Sequence, residues 1–122
     1  MIENDVILDL NGCYIAATSA VDGAVIVIDS GATVKLTDSR SGGYVKVEYS
    51  AWQKFMSVIQ NNGTLTVEKV TLNGANLNNT GAAGIINDGT LTLDVSAVIT
   101  VKKAAELQNN GTFYMKQEVP VG

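Results

Sequence analysis

The sequence predicts an all-β protein, a right-handed parallel β-helix of about four rungs with three short strands in each rung. Three observations predict this fold: a turn-then-strand motif recurs along the chain, apolar and polar residues alternate after each turn, and glycine is far more common than proline. Of the 122 residues, twelve are glycine, one is proline and 46% are hydrophobic. Such proportions suit many short strands joined by tight turns.

The recurring motif joins an Asp or Asn and a glycine to the start of a strand. Its four copies lie at residues 29–34, 61–65, 87–91 and 109–113. The glycines of successive copies are separated by 32, 26 and 22 residues. A period of about 20 to 50 residues is typical of stacked repeat architectures, so we expect each copy to begin an equivalent strand of a new rung.

Alternation within each strand predicts which side chains face the core. Leu65 and Val67 are expected to point inward, while Thr64 and Thr66 point outward. Stacking of rungs then produces an outer threonine column of Thr33, Thr64, Thr90 and Thr112. The neighbouring outer column holds Lys35, Thr66, Thr92 and Tyr114. A flat threonine array would suit ice binding, but Lys35 and Tyr114 break the flatness, which favours an ordinary β-branched strand surface.

The Asp or Asn of each motif is expected to occupy an equivalent corner. The predicted corner ladder consists of Asp29, Asn61, Asn87 and Asn109. Glycine supplies the positive φ that a sharp corner requires, and stacked side-chain amides can bond to one another along the axis.

Three runs carry a resemblance to a known family: residues 6–12 (VILDLNG), 25–31 (VIVIDSG) and 59–67 (IQNNGTLTV). They resemble the right-handed parallel β-helix repeats of bacterial surface and adhesin-like proteins, a group that shares its architecture with pectate-lyase-like solenoids. The likeness covers most of residues 6–116. It implies an extracellular or cell-surface location in a bacterium, and it says little about activity because this scaffold carries lyases, hydrolases, adhesins and phage tailspikes.

Residues 1–122 are expected to form a single β-helix domain, either cut from a longer solenoid or stacking on itself. The opening residues lack the basic region of a secretory signal peptide. End rungs expose unpaired strand edges, so we expect the partner to be a second copy or the neighbouring rungs of a parent chain. Pro120 has no amide donor and would blunt the last edge.

Residues 39–57 depart from the repeat and are interpreted as an insertion. Within it, residues 44–49 alternate like a strand, and a helical turn is expected to follow with Ser50 as its N-cap. One face of that turn would hold Trp52, Phe55 and Met56. A second departure, residues 76–82, reads as a polar loop, and corner insertions of this kind often carry function.

The insertion also supplies the candidate ligand-binding residues, Tyr44, Tyr49 and Trp52. Clustered aromatic side chains can stack on sugar rings or anchor a partner protein, so a glycan or a host protein is the expected ligand. The alternative interpretation is that Trp52, Phe55 and Met56 cap an open end of the solenoid or pack beneath the loop.

The chain offers little catalytic chemistry, since it has no histidine and a single cysteine. We therefore expect no enzyme activity, no cofactor and no metal site, and we expect Cys13 to be buried as a small apolar residue. Paired carboxylates remain as a route to glycoside hydrolysis. The candidates are Asp9, Asp29, Asp38, Glu48, Glu68 and Asp94. Asp38, Glu68 and Asp94 each follow the second strand of a unit, and a row of them would serve hydrolysis or calcium binding, or form an acidic rim.

A formal net charge of −4 with eight scattered basic residues argues against nucleic acid as a partner. No apolar run approaches the roughly 20 residues that membrane insertion requires. The leading hypothesis is a non-catalytic structural or binding module of a bacterial surface adhesin or fibre. A carbohydrate-binding or carbohydrate-cleaving β-helix and a self-assembling filament subunit are the alternatives. A lipocalin-like or immunoglobulin-like sandwich, with antiparallel pairing, is the alternative fold.

Overall fold

A computed structural model describes residues 1–116, which form thirteen short strands and one 3₁₀ helix, Tyr49–Lys54. The strands are β1 Val6–Asp9, β2 Tyr14–Ala17, β3 Ile26–Ile28, β4 Thr33–Thr37, β5 Tyr44–Val47, β6 Ser57–Asn61, β7 Thr64–Val67, β8 Thr71–Gly74, β9 Ala83–Asn87, β10 Thr90–Asp94, β11 Val98–Val101, β12 Ala105–Asn109 and β13 Thr112–Lys116.

Every third strand enters the same sheet, so the chain winds through three sheets in turn. The first sheet has the order β1-β4-β7-β10-β13, the second β2-β5-β8-β11 and the third β3-β6-β9-β12. All of these strand pairs are parallel. The predicted parallel β-helix of about four rungs is confirmed, and the antiparallel sandwich is excluded.

The core consists of aliphatic columns that run along the helix axis. Leu65 pairs in register with Leu91, and Val67 pairs with Leu93. These four side chains are between 0% and 6% exposed. Full burial of an aliphatic side chain contributes about 1.5–3 kcal/mol, so columns of this kind supply much of the driving force for folding.

The segment 39–57 requires a correction, because it is not a single insertion and its central strand belongs to the repeat. β5 lies inside this segment and pairs in register with β2 on one side and β8 on the other. It is therefore the regular second-sheet strand of its rung. Only the turn before β5 and the 3₁₀ helix after it depart from the repeat. Both lie at corners, where the number of residues can vary without breaking the hydrogen-bonded pairing of the strands.

The helical turn also begins earlier than Ser50. Its N-cap residue is Glu48, and its last residue, Lys54, is followed by the C-cap Phe55, whose backbone is already extended. Phe55 is fully buried, Met56 is 37% exposed, and Trp52 is half-buried, so these three side chains do not share one face. The return to extended backbone at Phe55 explains the difference, because it turns the side chain into the core and starts the approach to β6.

Cys13 is exposed, contrary to the expectation of burial. Its N–H donates to the carbonyl of Leu10 over 2.9 Å and closes a surface turn. Asn11 and Gly12 adopt positive φ in that turn, and β2 begins only at Tyr14. Pro120, expected to blunt the last strand edge, lies outside the described residues.

Candidate functional site

Three of the four residues of the predicted corner ladder lie in one column. Asn61, Asn87 and Asn109 are in register on β6, β9 and β12. Asn61 Nδ2 donates to Asn87 Oδ1 over 2.8 Å, and Asn87 Nδ2 donates to Asn109 Oδ1 over 2.8 Å. Both Asn61 and Asn87 are fully buried, so the column is an internal polar spine rather than a surface feature.

Asp29 lies outside this ladder, which corrects the prediction. The register partner of Asn61 on β3 is Ile28, not Asp29. Asp29 Oδ1 instead accepts a hydrogen bond from the N–H of Ser30. The reason is a longer first corner, in which four residues separate Ile28 from Thr33, whereas two separate Asn61 from Thr64.

The glycines beside the ladder are needed for space and not for positive φ. Among the motif glycines, Gly31 has a positive φ, whereas Gly63, Gly89 and Gly111 do not. A Cβ atom on Gly89 would lie 2.1 Å from the carbonyl oxygen of Gly63, and one on Gly111 would lie 2.2 Å from that of Gly89. Successive corners therefore stack backbone against backbone, which only glycine permits.

The outer threonine columns form with the predicted register. Thr33, Thr64, Thr90 and Thr112 are aligned across the first sheet. The neighbouring outer column holds Lys35, Thr66, Thr92 and Tyr114 in register, so Lys35 and Tyr114 flank the two threonines. The surface is therefore neither flat nor uniform.

The carboxylates at the ends of the first-sheet strands follow a different alignment from the predicted row. Asp94 pairs with Lys116, and Asp9 pairs with Thr37, which places Thr37 in the position expected for Asp38. Glu68 lies between these rungs, and its N–H donates to the carbonyl of Leu36 over 3.0 Å. The column thus mixes carboxylates with a hydroxyl and an ammonium group. Among the described residues there is no group of three or more Asp, Glu, Cys or His suited to a metal ion.

The resolved pKa shifts of these carboxyl groups are all downward. The Thr37 hydroxyl donates to Glu68 over 2.9 Å, and it lowers the pKa of Glu68 together with Lys35, whose Nζ is 3.2 Å away. Ser96 lowers the pKa of Asp94 through its hydroxyl and its N–H. A glycosidase general acid requires a raised pKa, so these groups are better suited to structural pairing than to proton donation.

Asp9, on the first rung, also has a lowered pKa. Its Oδ1 accepts hydrogen bonds from the N–H groups of Ser39 and Asn11, both over 2.9 Å. These bonds, with that of Ser39 first, hold the pKa of Asp9 below its usual value. Glu48 also has a structural role. It is the N-cap residue of the 3₁₀ helix, and its N–H donates to the carbonyl of Ala17.

Asp38 is buried and joins two corners of the solenoid. Its Oδ1 accepts from the N–H of Gly12 over 2.7 Å, and its Oδ2 accepts from the N–H of Gly43 over 2.6 Å. Desolvation raises the pKa of this carboxyl. Hydrogen bonds from the backbone N–H groups of Gly12, Gly43, Ser41 and Arg40 lower it by more than desolvation raises it, so the net pKa lies below the ordinary value.

We expect Asp38→Asn to lower the urea midpoint of unfolding at pH 7, because an amide cannot accept on both sides. A carboxyl whose pKa is lowered by folding stabilises the protein above its unfolded pKa of about 3.9, and this contribution is lost as the pH falls through the folded value. The difference between the wild type and the variant should therefore shrink below about pH 4. Asp22→Asn, at an exposed turn, is the control and should leave the midpoint nearly unchanged. A difference that persists unchanged at pH 2 would contradict the assignment.

Tyr44 lies on the outer face of the second sheet. Its ring stacks on that of Tyr14, with centroids 4.9 Å apart and planes 4° from parallel. Beside it is an open groove of ≈ 360 Å³. This groove is lined by Gly42, Gly43, Tyr44, Lys46, Lys69, Thr71 and Asn73.

Tyr49 and Trp52 lie elsewhere, at the corner between the second and third sheets. They line a separate groove of ≈ 280 Å³, which we call the corner groove. Its lining is Tyr49, Trp52, Ala75, Asn76, Leu77, Asn78, Lys102 and Lys103. The three predicted ligand-binding aromatics are thus divided between two surfaces.

Sequence reasoning missed the partners of these aromatics. Tyr14 and Tyr44 are register partners, which a consistent alignment of the second-sheet strands would have revealed. Lys102 and Lys103 join the corner groove from a turn two rungs beyond Trp52, and no local motif marks them. Their contribution depends on the stacking of corners.

No helix within residues 1–116 is long and apolar enough to cross a membrane. Comparison of the chain with protein-family models, curated proteins and solved structures gives no match.

Proposed function

We propose that the chain is a non-catalytic structural module of a bacterial surface adhesin or fibre, in which the rungs act as a stiff spacer and the two end rungs associate end to end. The observation that carries this proposal is the change of burial along one core column. Leu65 and Leu91 are 1% and 0% exposed, whereas Val6, at the first position of the same column, is 38% exposed.

The other end shows the same pattern in the adjacent column. Leu93 is 6% exposed, but its register partner Met115 on β13 is 53% exposed. Aliphatic side chains that face inward yet meet solvent at the ends favour contact with another rung. Unpaired backbone groups at strand edges add to this tendency.

Stiffness and the lack of a catalytic role are supported by how the polar groups are used. Asn61 and Asn87 bond along the axis, Glu68 and Asp38 accept hydrogen bonds from the preceding rung, and Asp94 accepts from Ser96 in the turn that follows its own strand. These side chains stabilise the solenoid, and the lowered pKa of each of the three carboxyl groups favours a permanent charge over proton transfer.

The test is sedimentation velocity over a concentration series, combined with electron microscopy of the pure protein. We expect concentration-dependent species and short rods for the wild type. Met115→Lys should shift the equilibrium toward monomer by about tenfold, because it places a charge on the inward column at one end.

Tyr114→Lys is the matched control, since Tyr114 lies on the same strand, points outward and is 59% exposed. It adds the same charge and should leave association nearly unchanged. A strict monomer at the highest attainable concentration would contradict the proposal, as would equal effects of the two substitutions.

A further inference from the structure

We infer that the corner groove binds an acidic saccharide, with a sugar ring against Tyr49 and Trp52 and a carboxylate at Lys102 and Lys103. This inference stands on the lining of the groove and does not require end-to-end association.

Hydrogen bonds from the next rung constrain the 3₁₀ helix that carries Tyr49 and Trp52. Asn79 Nδ2, from the loop of the next rung, donates to the carbonyls of Trp52, Gln53 and Phe55 over 3.4, 3.1 and 2.9 Å. Phe55 is fully buried and anchors the end of the 3₁₀ helix in the core. Tyr49 is nevertheless 73% exposed, so a large aromatic surface is presented on a constrained turn. Preorganised aromatic side chains of this kind bind ligands with little loss of conformational entropy.

Three successive corners build the groove in a fixed chemical order. The 3₁₀ helix provides the aromatics, the following corner provides Asn76 and Asn78, and the corner after β11 provides Lys102 and Lys103. Successive rungs are about 4.8 Å apart, so the aromatic and cationic ends are separated by roughly 10 Å. That separation matches the length of a disaccharide.

The amides between the two ends suit ring hydroxyl groups. Asn76 Nδ2 donates to the carbonyl of Val47 over 2.8 Å, and this bond fixes the side chain at the groove. Its Oδ1 has no donor within residues 1–116 and remains an acceptor. Asn78 is exposed and offers both a donor and an acceptor.

The charge of the lining selects an acidic ligand. The chain carries a net charge of −4, yet the groove lining holds two lysines and no carboxylate among the described residues. Adjacent ammonium groups repel each other, and a carboxylate between them relieves that repulsion. A neutral sugar would use the aromatic and amide groups but leave the lysines without a counter-charge.

Trp52 is the only tryptophan of the chain, so its fluorescence reports directly on this groove. The probe is a disaccharide of glucuronic acid and N-acetylglucosamine, titrated into the full chain at low ionic strength. We expect a saturable change in Trp52 emission. The methyl ester of the same disaccharide, which lacks the charge, should bind at least about tenfold more weakly.

The variant Lys102→Gln/Lys103→Gln should weaken binding of the acid about tenfold and leave binding of the ester unchanged. Lys46→Gln/Lys69→Gln removes the same charge from the groove beside Tyr44 and is the matched control. Tyr49→Ala should weaken both ligands about fivefold, as measured by calorimetry. All of these substitutions are at surface positions, and far-UV circular dichroism verifies the fold.

Four results would overturn the inference: no binding of the acid at millimolar concentration, equal affinity for acid and ester, equal losses in the two lysine pairs, or full displacement by an equal concentration of inorganic phosphate. The last result would mark a simple anion site without saccharide recognition.

Discussion

Gly89→Ala is expected to destabilise the protein by at least about 3 kcal/mol. The new Cβ would lie 2.1 Å from the carbonyl oxygen of Gly63 and 2.9 Å from the carbonyl carbon of Asn62. Both contacts are with the backbone of the rung beneath, and a backbone held by parallel ladders cannot move aside as a flexible side chain would. Urea unfolding followed by far-UV circular dichroism measures the loss.

Gly31→Ala separates this steric effect from the conformational preference of glycine. Gly31 has a φ of +91°, but a Cβ there would meet nothing within 4 Å. Its substitution should cost about 1 kcal/mol, the usual penalty for a left-handed alanine. Equal losses in the two variants would show that the stacked corner tolerates a side chain, contrary to the geometry described above.

Asn87→Asp is the second substitution that we expect to destabilise the fold strongly, because it removes a buried donor and retains an acceptor. Asn87 Nδ2 donates to Asn109 Oδ1, to the carbonyl of Thr112 over 2.9 Å and to that of Gly89 over 3.3 Å. A carboxylate would face these three acceptors without a proton to share. We expect a loss of about 3 kcal/mol at pH 7, measured by urea unfolding.

The pH dependence of this variant has a definite sign. Burial among acceptors should raise the pKa of the introduced carboxyl in the folded state, so its protonated form favours folding. The loss relative to the wild type at the same pH should then be smaller at pH 3 than at pH 7.

Asn109→Asp is the matched control for Asn87→Asp. Asn109 Oδ1 accepts from Asn87 and from the N–H of Gly111, and a carboxylate preserves both roles. Its effect should stay within about 0.5 kcal/mol. A comparable loss in both variants would indicate that added charge, and not the missing donor, destabilises the corner.

The fold was predictable from the sequence because its strongest signal is periodic. Thr64, Thr90 and Thr112 align as expected, and the aliphatic residues beside them form the core. These positions follow directly from a turn of constant length. Where the corner has a different length, the prediction fails by one residue, as it does for Asp29. The misplacement of Asp38 has another origin, because the position four residues after Thr33, Thr64 and Thr90 holds Thr37, Glu68 and Asp94.

Such errors have a physical origin in the register of strands. Shifting a strand by one residue reverses which of its side chains face inward. The register is selected by packing against the neighbouring rungs, and no single sequence motif encodes that packing. Ile28 takes the ladder position because the first corner is longer, and Thr37 takes the position expected for Asp38. The grooves were harder still to predict, because Trp52 and Lys103 line one groove only through the stacking of corners.

The asparagine column gives the solenoid a polarity. Each amide donates toward the later rung, from Asn61 to Asn87 and from Asn87 to Asn109, so the side-chain dipoles all run the same way. Within residues 1–116, the early side of the column continues into the aliphatic Ile28 and its bridge partner Ile2, and the late side ends in the amide of Asn109. The two faces are therefore chemically distinct, and an assembly grown through them would have unlike ends and a single direction of growth.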